Sequence, residues 1–292
     1  MTRSPLPLSA AIIARDASRT LEAALRSLAF CDEIVVLDSG STDDTPALAR
    51  AAGARVEFRE WTGFRDQKNA AAALCRHDWV LSIDADEEVT PALAAEIEAL
   101  FSGGEPAPPG FSMPRLTRYL GREIRGAGWY PDRAIRLYDR RRGRWVGGRV
   151  HERIVLDGAA EPLAADLLHA PYASLEHHIE KMNGYTTLAA ETMHARGKRA
   201  DWTHFAVRPP LVFLKSWVLR RGFTLGVPGF VVSVSSALAV FLKYVKLRDL
   251  QRRGVARDPA AAADHSDPAT VALQPPTGGQ ATTSARNPSS SA

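Results

Sequence analysis

Asp78–Val89 reads DWVLSIDADEEV, and the fold turns on how its apolar run meets its acids. Trp79–Asp84 is the length and composition of a strand buried on both faces. It delivers Asp84, Ala85 and Asp86 to its end, where two carboxylates emerge one residue apart. Side chains at a strand end diverge, so acids at this spacing can reach a cation and a ribose together. Oxygen ligands of this kind, completed by phosphate, suit Mg2+ or Mn2+. The plainer alternative is a solvated acidic turn, with Glu87 and Glu88 favouring the dipole of the helix opened by Thr90-Pro91.

On either side of this stretch, apolar runs alternate with helical periodicity. Leu8–Ala14 reads as a buried strand, and Asp16 is placed to cap a helix with Leu21, Ala24, Leu25 and Leu28 on its apolar face. Ile34–Asp38 is a second strand, followed by the loop SGSTDD and a helix with Thr45 as cap and Pro46 in its first turn. Arg55–Phe58 is a third strand and Phe64–Arg76 a helix. Such alternation with short loops predicts an α/β fold, a doubly wound, mostly parallel sheet. Ligands in such sheets bind beyond the carboxyl ends of the strands, where Asp38 and Asp84 fall. No glycine-rich dinucleotide fingerprint or phosphate loop follows any of these strands.

After the turn-rich stretch Ser102–Gly110, short strands such as Phe111–Arg115 and Ala134–Tyr138 alternate with arginine-rich loops, and Ser174–Arg196 reads as a helix ended by Gly197. Phe223–Leu242 is twenty residues without formal charge, flanked by Arg220-Arg221 and by Lys243 and Lys246. From Gly254 to Ala292 the chain is Ala, Pro, Ser, Thr and Gly without periodicity, the pattern of a disordered tail. The expected division is 1–200, with a nucleotide half over about 1–101 and an acceptor half over about 110–200, then a helical extension 201–253 and the tail 254–292.

Composition sets the outer limits. With 292 residues, 45% hydrophobic and 24% charged, the chain is globular rather than fibrous or wholly disordered. Cys31 and Cys75 have no paired spacing, which excludes a disulfide framework and a cysteine zinc site. The N-terminal apolar run is too short for a secretory signal, so a cytosolic chain is expected. The net charge of +4 is unevenly spread: twelve arginines between Arg115 and Arg153 face only Glu123, Asp132, Asp139 and Glu152. Guanidinium groups match phosphate bidentately, so this field points to an anionic partner, or else to a solvated basic surface. No nucleic-acid-binding motif accompanies it.

VVLDSGSTDDT (Val35–Thr45), QKN (Gln67–Asn69) and LSIDADEEV (Leu81–Val89) resemble family 2 of the nucleotide-sugar glycosyltransferases. GREIRGAGWYPD (Gly121–Asp132), RLYDRR (Arg136–Arg141) and VHE (Val150–Glu152) resemble its lipopolysaccharide core branch. The resemblance runs over about residues 8 to 250, with the motifs in order. It implies a GT-A fold, a nucleotide-sugar donor and inversion at the anomeric carbon. By position, Asp38 would bind uracil or ribose, with Ser39, Gly40 and Ser41 beside it and Lys68 on the donor. Asp84 and Ala85 would meet the ribose and the metal-bound diphosphate, and Asp86 would be the direct ligand of Mg2+ or Mn2+, with Asp84 also in the metal site.

An inverting transfer also needs a base for the acceptor hydroxyl. Glu152 is favoured over Asp132; the alternative for Glu152 is an arginine partner, and for Asp132 a turn residue after Pro131. His169 or His151 would complete the metal shell or orient a diphosphate oxygen, or else be structural. Trp129 and Tyr130 offer flat faces for a sugar or belong to the core. Arg133, Arg136, Arg140, Arg141, Arg142 and Arg144 would surround an anionic acceptor, with His151 also on the acceptor side.

Phe223–Leu242 has the length of a membrane span but includes Gly226, Pro228, Gly229, Ser233, Ser235 and Ser236. A re-entrant or interfacial helix is preferred to a span, with a buried core helix as the alternative. The expected activity is metal-dependent, inverting transfer of a hexose, from UDP-glucose, to a lipopolysaccharide core acceptor at the cytoplasmic face of the inner membrane. A polyprenyl-phosphate or capsule acceptor is the alternative within the class. A non-catalytic, membrane-bound nucleotide-sugar binding protein is the alternative outside it.

Overall fold

The computed structural model describes residues 6–147 and 152–254. The expected tail beyond Gly254 lies outside them, as does His151. Elements follow the chain as β1 (Leu6–Ala14), α1 (Leu21–Ser27), β2 (Cys31–Asp38), α2 (Thr45–Ala51), β3 (Arg55–Phe58), α3 (Phe64–Leu74) and β4 (Trp79–Asp84). Then come β5 (Glu87–Val89), α4 (Pro91–Leu100), β6 (Gly110–Tyr119), β7 (Arg122–Glu123), β8 (Asp132–Asp139) and the β9–β10 hairpin (Gly143–Gly147, Glu152–Leu156). Short strands β11 (Glu161–Pro162) and β12 (Leu167–His169) precede α5 (Leu175–Ala195), α6 (Trp202–Ala206), α7 (Arg208–Leu214) and α8 (Val227–Arg252).

The main sheet runs in the order β3-β2-β1-β4-β8-β6-β12-β5. Strands β3, β2, β1 and β4 are parallel, while β8 is antiparallel to both β4 and β6. The chain winds outward through β2 and β3 and then returns to the far side of β1 for β4, which makes the β1–β4 seam the switch point where such sheets open a crevice. There Ala14 pairs with Asp38 and Ile13 with Asp84, so the two expected acids flank the end of β1. Beyond β8, β12 runs parallel to β6 and antiparallel to β5, and that pairing sets His169 opposite Glu87.

Alternate residues of β1 enter two cores, as a two-residue period requires. Leu8, Ala10 and Ile12 pack with Leu21, Leu25 and Leu93 on one face, while Ala11 packs with Ala71, Tyr138 and Trp145 on the other. Local chemistry sets the helix starts: Thr90 accepts from Leu93 N ahead of α4, and Ser174 from His177 N ahead of α5. Asp16 does not cap α1 as expected. It sits at φ +49°, α1 begins at Leu21 after Thr20, and the Asp16 carboxylate accepts from Thr42 N at 2.7 Å. The loop after β2 competes for that carboxylate and wins it.

Candidate active site

A cavity of about 660 Å3 opens at the β1–β4 switch point. The β1–α1 loop forms one side, Asp84–Asp86 and His169 the floor, and α5 the opposite wall. Of the expected residues, Lys68, Asp84, Ala85, Asp86, Glu152 and His169 line it.

Three consecutive residues of α3 tie three segments together. Buried Gln67 donates to Ser39 Oγ at 2.9 Å, and Asn69 exchanges hydrogen bonds with the backbone of Trp145 at 2.9 and 3.0 Å. Between them Lys68, 3% exposed, bridges Asp84 Oδ1 at 2.9 Å and Glu152 Oε1 at 3.0 Å, its ammonium 4.3 Å from the Trp145 ring centroid. Burial pulls the Lys68 ammonium down, but Asp84 and Glu152 more than offset it and hold it above its usual value.

Beneath the cavity lies a layer of buried charge. Arg136, fully buried, donates to Asp84 Oδ2 and Glu87 Oε1, each at 2.6 Å. Arg115, also buried, reaches Glu87 at 3.3 Å and pairs with Asp132 Oδ2. Burial works against ionisation of Asp84, yet Arg136 and Lys68 hold its carboxyl far below the usual range. Counting Asp86, five carboxylates (Asp84, Asp86, Glu87, Asp132, Glu152) face three cations (Lys68, Arg115, Arg136), an excess of two negative charges.

The donor chemistry suits a divalent cation at one place. Asp86 Oδ1 and His169 Nε2 stand 3.7 Å apart on the cavity floor, too far for a hydrogen bond. His169 Nδ1 is buried without a partner, and burial holds the imidazole below its usual value, in the neutral ligating form. Asp84 is different: both its oxygens are engaged by cationic side chains. No cluster of three or more metal-binding side chains occurs among the described residues, so remaining ligands would have to come from water and substrate.

Other expected site residues lie elsewhere. Asp38 turns back on its own loop, accepting from Gly40 N at 3.0 Å and from Ser41 N. Gly40 takes φ +86° to allow that turn. Ser41 Oγ accepts from Asp16 N at 2.9 Å, so Asp38–Ser41 buttress the cavity wall instead of lining it. Asp132 is locked to Arg115 beneath the floor. Trp129, 3% exposed, packs against Tyr119, Tyr172 and His178 in a core. Tyr130 donates to Asp166 at 2.9 Å. Arg133 donates to the carbonyls of Ser112 and Leu163 at 2.8 and 2.6 Å. Nor do Arg140, Arg141 and Arg142 face the cavity; they pair with Asp78, Asp139 and Asp157. Much of the arginine field is therefore engaged by acids and carbonyls of this chain, with Arg115 and Arg136 fully buried. Glu87, read as a possible dipole partner, is a buried strand residue.

Besides Lys68, the basic groups on the cavity are Arg15 and Arg19 of the β1–α1 loop and Lys181 of α5. On α5, His177, Lys181 and Tyr185 recur every fourth residue and form the wall, a stripe that periodicity could have revealed. Trp61 and Phe64, 4.8 Å apart edge to face, flank the opening.

The glycosyl transferase family 2 model matches residues 9–146. An uncharacterized glycosyltransferase of Rickettsia prowazekii is 32% identical over 254 residues, covering 83% of this chain and 87% of that protein. The chain belongs to this family. The lipopolysaccharide core biosynthesis glycosyltransferase LpsC of Rhizobium meliloti is also 32% identical, over 83% of this chain and 92% of LpsC. Among solved structures, glucosyl-3-phosphoglycerate synthase of Mycobacterium tuberculosis, crystallised with Mn2+ and uridine diphosphate, is 30% identical. That likeness covers only 38% of this chain and 44% of that one, at a TM-score of 0.32. As a family 2 member, the chain is a glycosyltransferase built on a GT-A-type sheet with an apolar C-terminal helix.

Proposed function

We propose that this glycosyltransferase moves a hexose, from UDP-glucose, to an anionic lipopolysaccharide core acceptor at the cytoplasmic face of the inner membrane. The observation that supports it most is the cavity floor at the β1–β4 switch point, where Asp86 and His169 stand unspent above a layer with surplus negative charge.

Asp86 and His169 would hold Mg2+ or Mn2+, which when bound neutralises charge gathering on the departing diphosphate. Asp84 acts through its position: tied by Arg136 and Lys68, it fixes the strand end that carries Asp86. Glu152 is the proposed base, because it faces the cavity while Asp132 does not. The Lys68 bond to Glu152 Oε1 orients the carboxylate toward the acceptor hydroxyl, whose proton it takes as the sugar–oxygen bond forms. Arg15, Arg19 and Lys181 supply the positive rim for the diphosphate and for a phosphorylated acceptor. The similarity to LpsC supports the acceptor class.

The test is release of UDP from UDP-glucose with Mn2+ and a core oligosaccharide acceptor. Glu152→Gln is expected to lower turnover by about 100-fold or more, the usual contribution of a positioned base. Asp86→Ala should leave no Mn2+-dependent turnover. A Glu152→Gln enzyme within a few-fold of the parent would remove Glu152 as the base, and an unaffected Asp86→Ala enzyme would remove the cation site.

A further inference from the structure

Behind α5 lies a helical hairpin, the last elements among the described residues, that the site does not use. One arm is α7 continued by the π-helical turn Lys215–Leu219; the 3-10 turn Gly222–Leu225 reverses the chain; the other arm is α8. The arms run antiparallel, with Arg208 donating to Tyr244 near the open end and Trp217 packed 5.5 Å from Phe230 near the turn. The turn is fixed to the sheet domain: Ala127 N donates to the Arg220 carbonyl, Ser216 Oγ to the Ala127 carbonyl and Arg122 to the Leu225 carbonyl.

Each arm has a packed face and an open one. In α8, Val232, Ser233, Ser236, Ala239, Val240, Tyr244 and Leu247 are buried, several of them against α5. The open face carries Phe230, Val234, Leu238, Phe241 and Val245, at helical spacing. The first arm adds Leu211, Leu214, Val218 and Leu219, the last 78% exposed. Phe213, Trp217, Phe223 and Phe230 form an aromatic seam that joins the two stripes into one surface.

Charge identifies what covers it. From Trp202 to Arg248 there is no Asp or Glu, while Arg208, Lys215, Arg220, Arg221, Lys243, Lys246 and Arg248 fall in the same stretch. Of these, Arg208, Lys215, Arg220, Arg221 and Arg248 are exposed. A protein partner gains nothing from this one-signed frame unless it is itself acidic, and a second copy would face like charge. Long basic side chains around an apolar strip, with a tryptophan between, match the headgroup and upper acyl region of an anionic leaflet.

We propose that the α7–α8 hairpin is an in-plane docking surface for an anionic bilayer, and that α8 lies on the membrane and does not cross it. Crossing would expose Ser233 and Ser236 to lipid and strip α8 from α5, since 44% of its most apolar stretch is buried within the protein. The inference rests on the proposed function only for what the bilayer carries, a glycolipid acceptor. The other wall of the cavity is then one helix away from the membrane surface, because the same α5 that packs on α8 presents His177, Lys181 and Tyr185 to the cavity.

The test uses the full chain and vesicles of phosphatidylcholine with or without phosphatidylglycerol. Co-sedimentation is expected with the anionic vesicles, weaker in high salt, and released by alkaline carbonate. Leu219→Asp with Leu238→Asp should lower vesicle partitioning by at least about tenfold, the scale expected for withdrawing two large apolar side chains. Its melting temperature and its UDP release from soluble substrates should stay unchanged. Arg221→Glu with Lys215→Glu should abolish the preference for anionic vesicles. Three results would overturn the inference: no vesicle binding, carbonate-resistant insertion, or a dimer that the aspartate variant dissociates. Vesicle binding by a chain without transferase turnover would sink the proposed function and leave the docking surface standing.

Discussion

Replacing Arg136 by methionine tests whether the arginine field serves the fold or the acceptor. The substitution keeps an unbranched apolar stem and removes the guanidinium that contacts Asp84 and Glu87, each at 2.6 Å. The layer then holds Asp84, Glu87, Asp132 and Glu152 against Lys68 and Arg115, so an excess of one negative charge becomes two. Removing one partner of a buried pair costs about 3–5 kcal/mol. Asp84 keeps Lys68 at 2.9 Å and Glu87 keeps Arg115 at 3.3 Å, which sets the expectation at the lower end, about 3 kcal/mol. That is a large share of the roughly 5–15 kcal/mol that holds an ordinary domain together. Urea unfolding followed by tryptophan fluorescence at neutral pH measures it, with Arg136→Lys expected to fall between parent and methionine variant. The pH dependence adds a second check. Burial pushes the Glu87 carboxyl up, but Arg136 and Arg115 hold it below its ordinary 4.5, so its pairing stabilises above that pH and is lost as pH falls through the lowered value. Without Arg136 the Glu87 carboxyl rises, protonation relieves the repulsion, and the gap between variant and parent narrows in acid. A loss under about 1 kcal/mol, the range of an exposed pair, would refute the reasoning. So would an unchanged stability with a raised acceptor KM, which would return Arg136 to the acceptor.

Two further perturbations probe α5. Burial lowers the His178 imidazole to about 4, so it is neutral in the fold and charges on unfolding. Stability is then full above the unfolded value near 6.5 and declines as pH falls toward 4, by roughly 2 kcal/mol between pH 7.5 and 5. His178→Phe should flatten that decline in chemical denaturation, and an equally steep variant would show the loss arises elsewhere. Gly184 lies mid-helix with open space where a Cβ would be, so Gly184→Ala should stabilise by about 0.5–1 kcal/mol, read as a higher melting temperature.

The sheet was legible because its strands announce themselves twice, by apolar run and by the residues that stop them. Arg55–Phe58 and Trp79–Asp84 are strands with the bounds that the sequence predicts, and Thr90-Pro91 opens α4 through a side-chain cap. The second half was harder. Phe111–Arg115 extends to Tyr119, because β12 pairs with Leu116 and Thr117 and β7 with Arg118 and Tyr119, partners that a local reading does not contain. Among site residues, the end of β4 could be read because a buried strand leaves its terminal acids few places to go. The arginines could not, since a guanidinium on an acceptor and one on a buried carboxylate look alike in sequence. Arg133, with its two backbone carbonyls, gives no local sign of either fate. The cavity cations Arg15, Arg19 and Lys181 were missed because none belongs to a cluster; β1, α1 and α5 bring them together only in space.

Helix α5 has the cavity on one side and α8 on the other, and that limits how such an enzyme can change over evolutionary time. A substitution at Met182, Thr186 or Ala189 that adjusts the seat of the hairpin also shifts Lys181 and Tyr185, one residue away in sequence or one turn along. On the proposed reading, acceptor preference and membrane docking would thus be drawn from one reservoir of tolerated mutations. Relatives that recognise a different acceptor should show their compensating changes on α8, at positions that never meet a sugar.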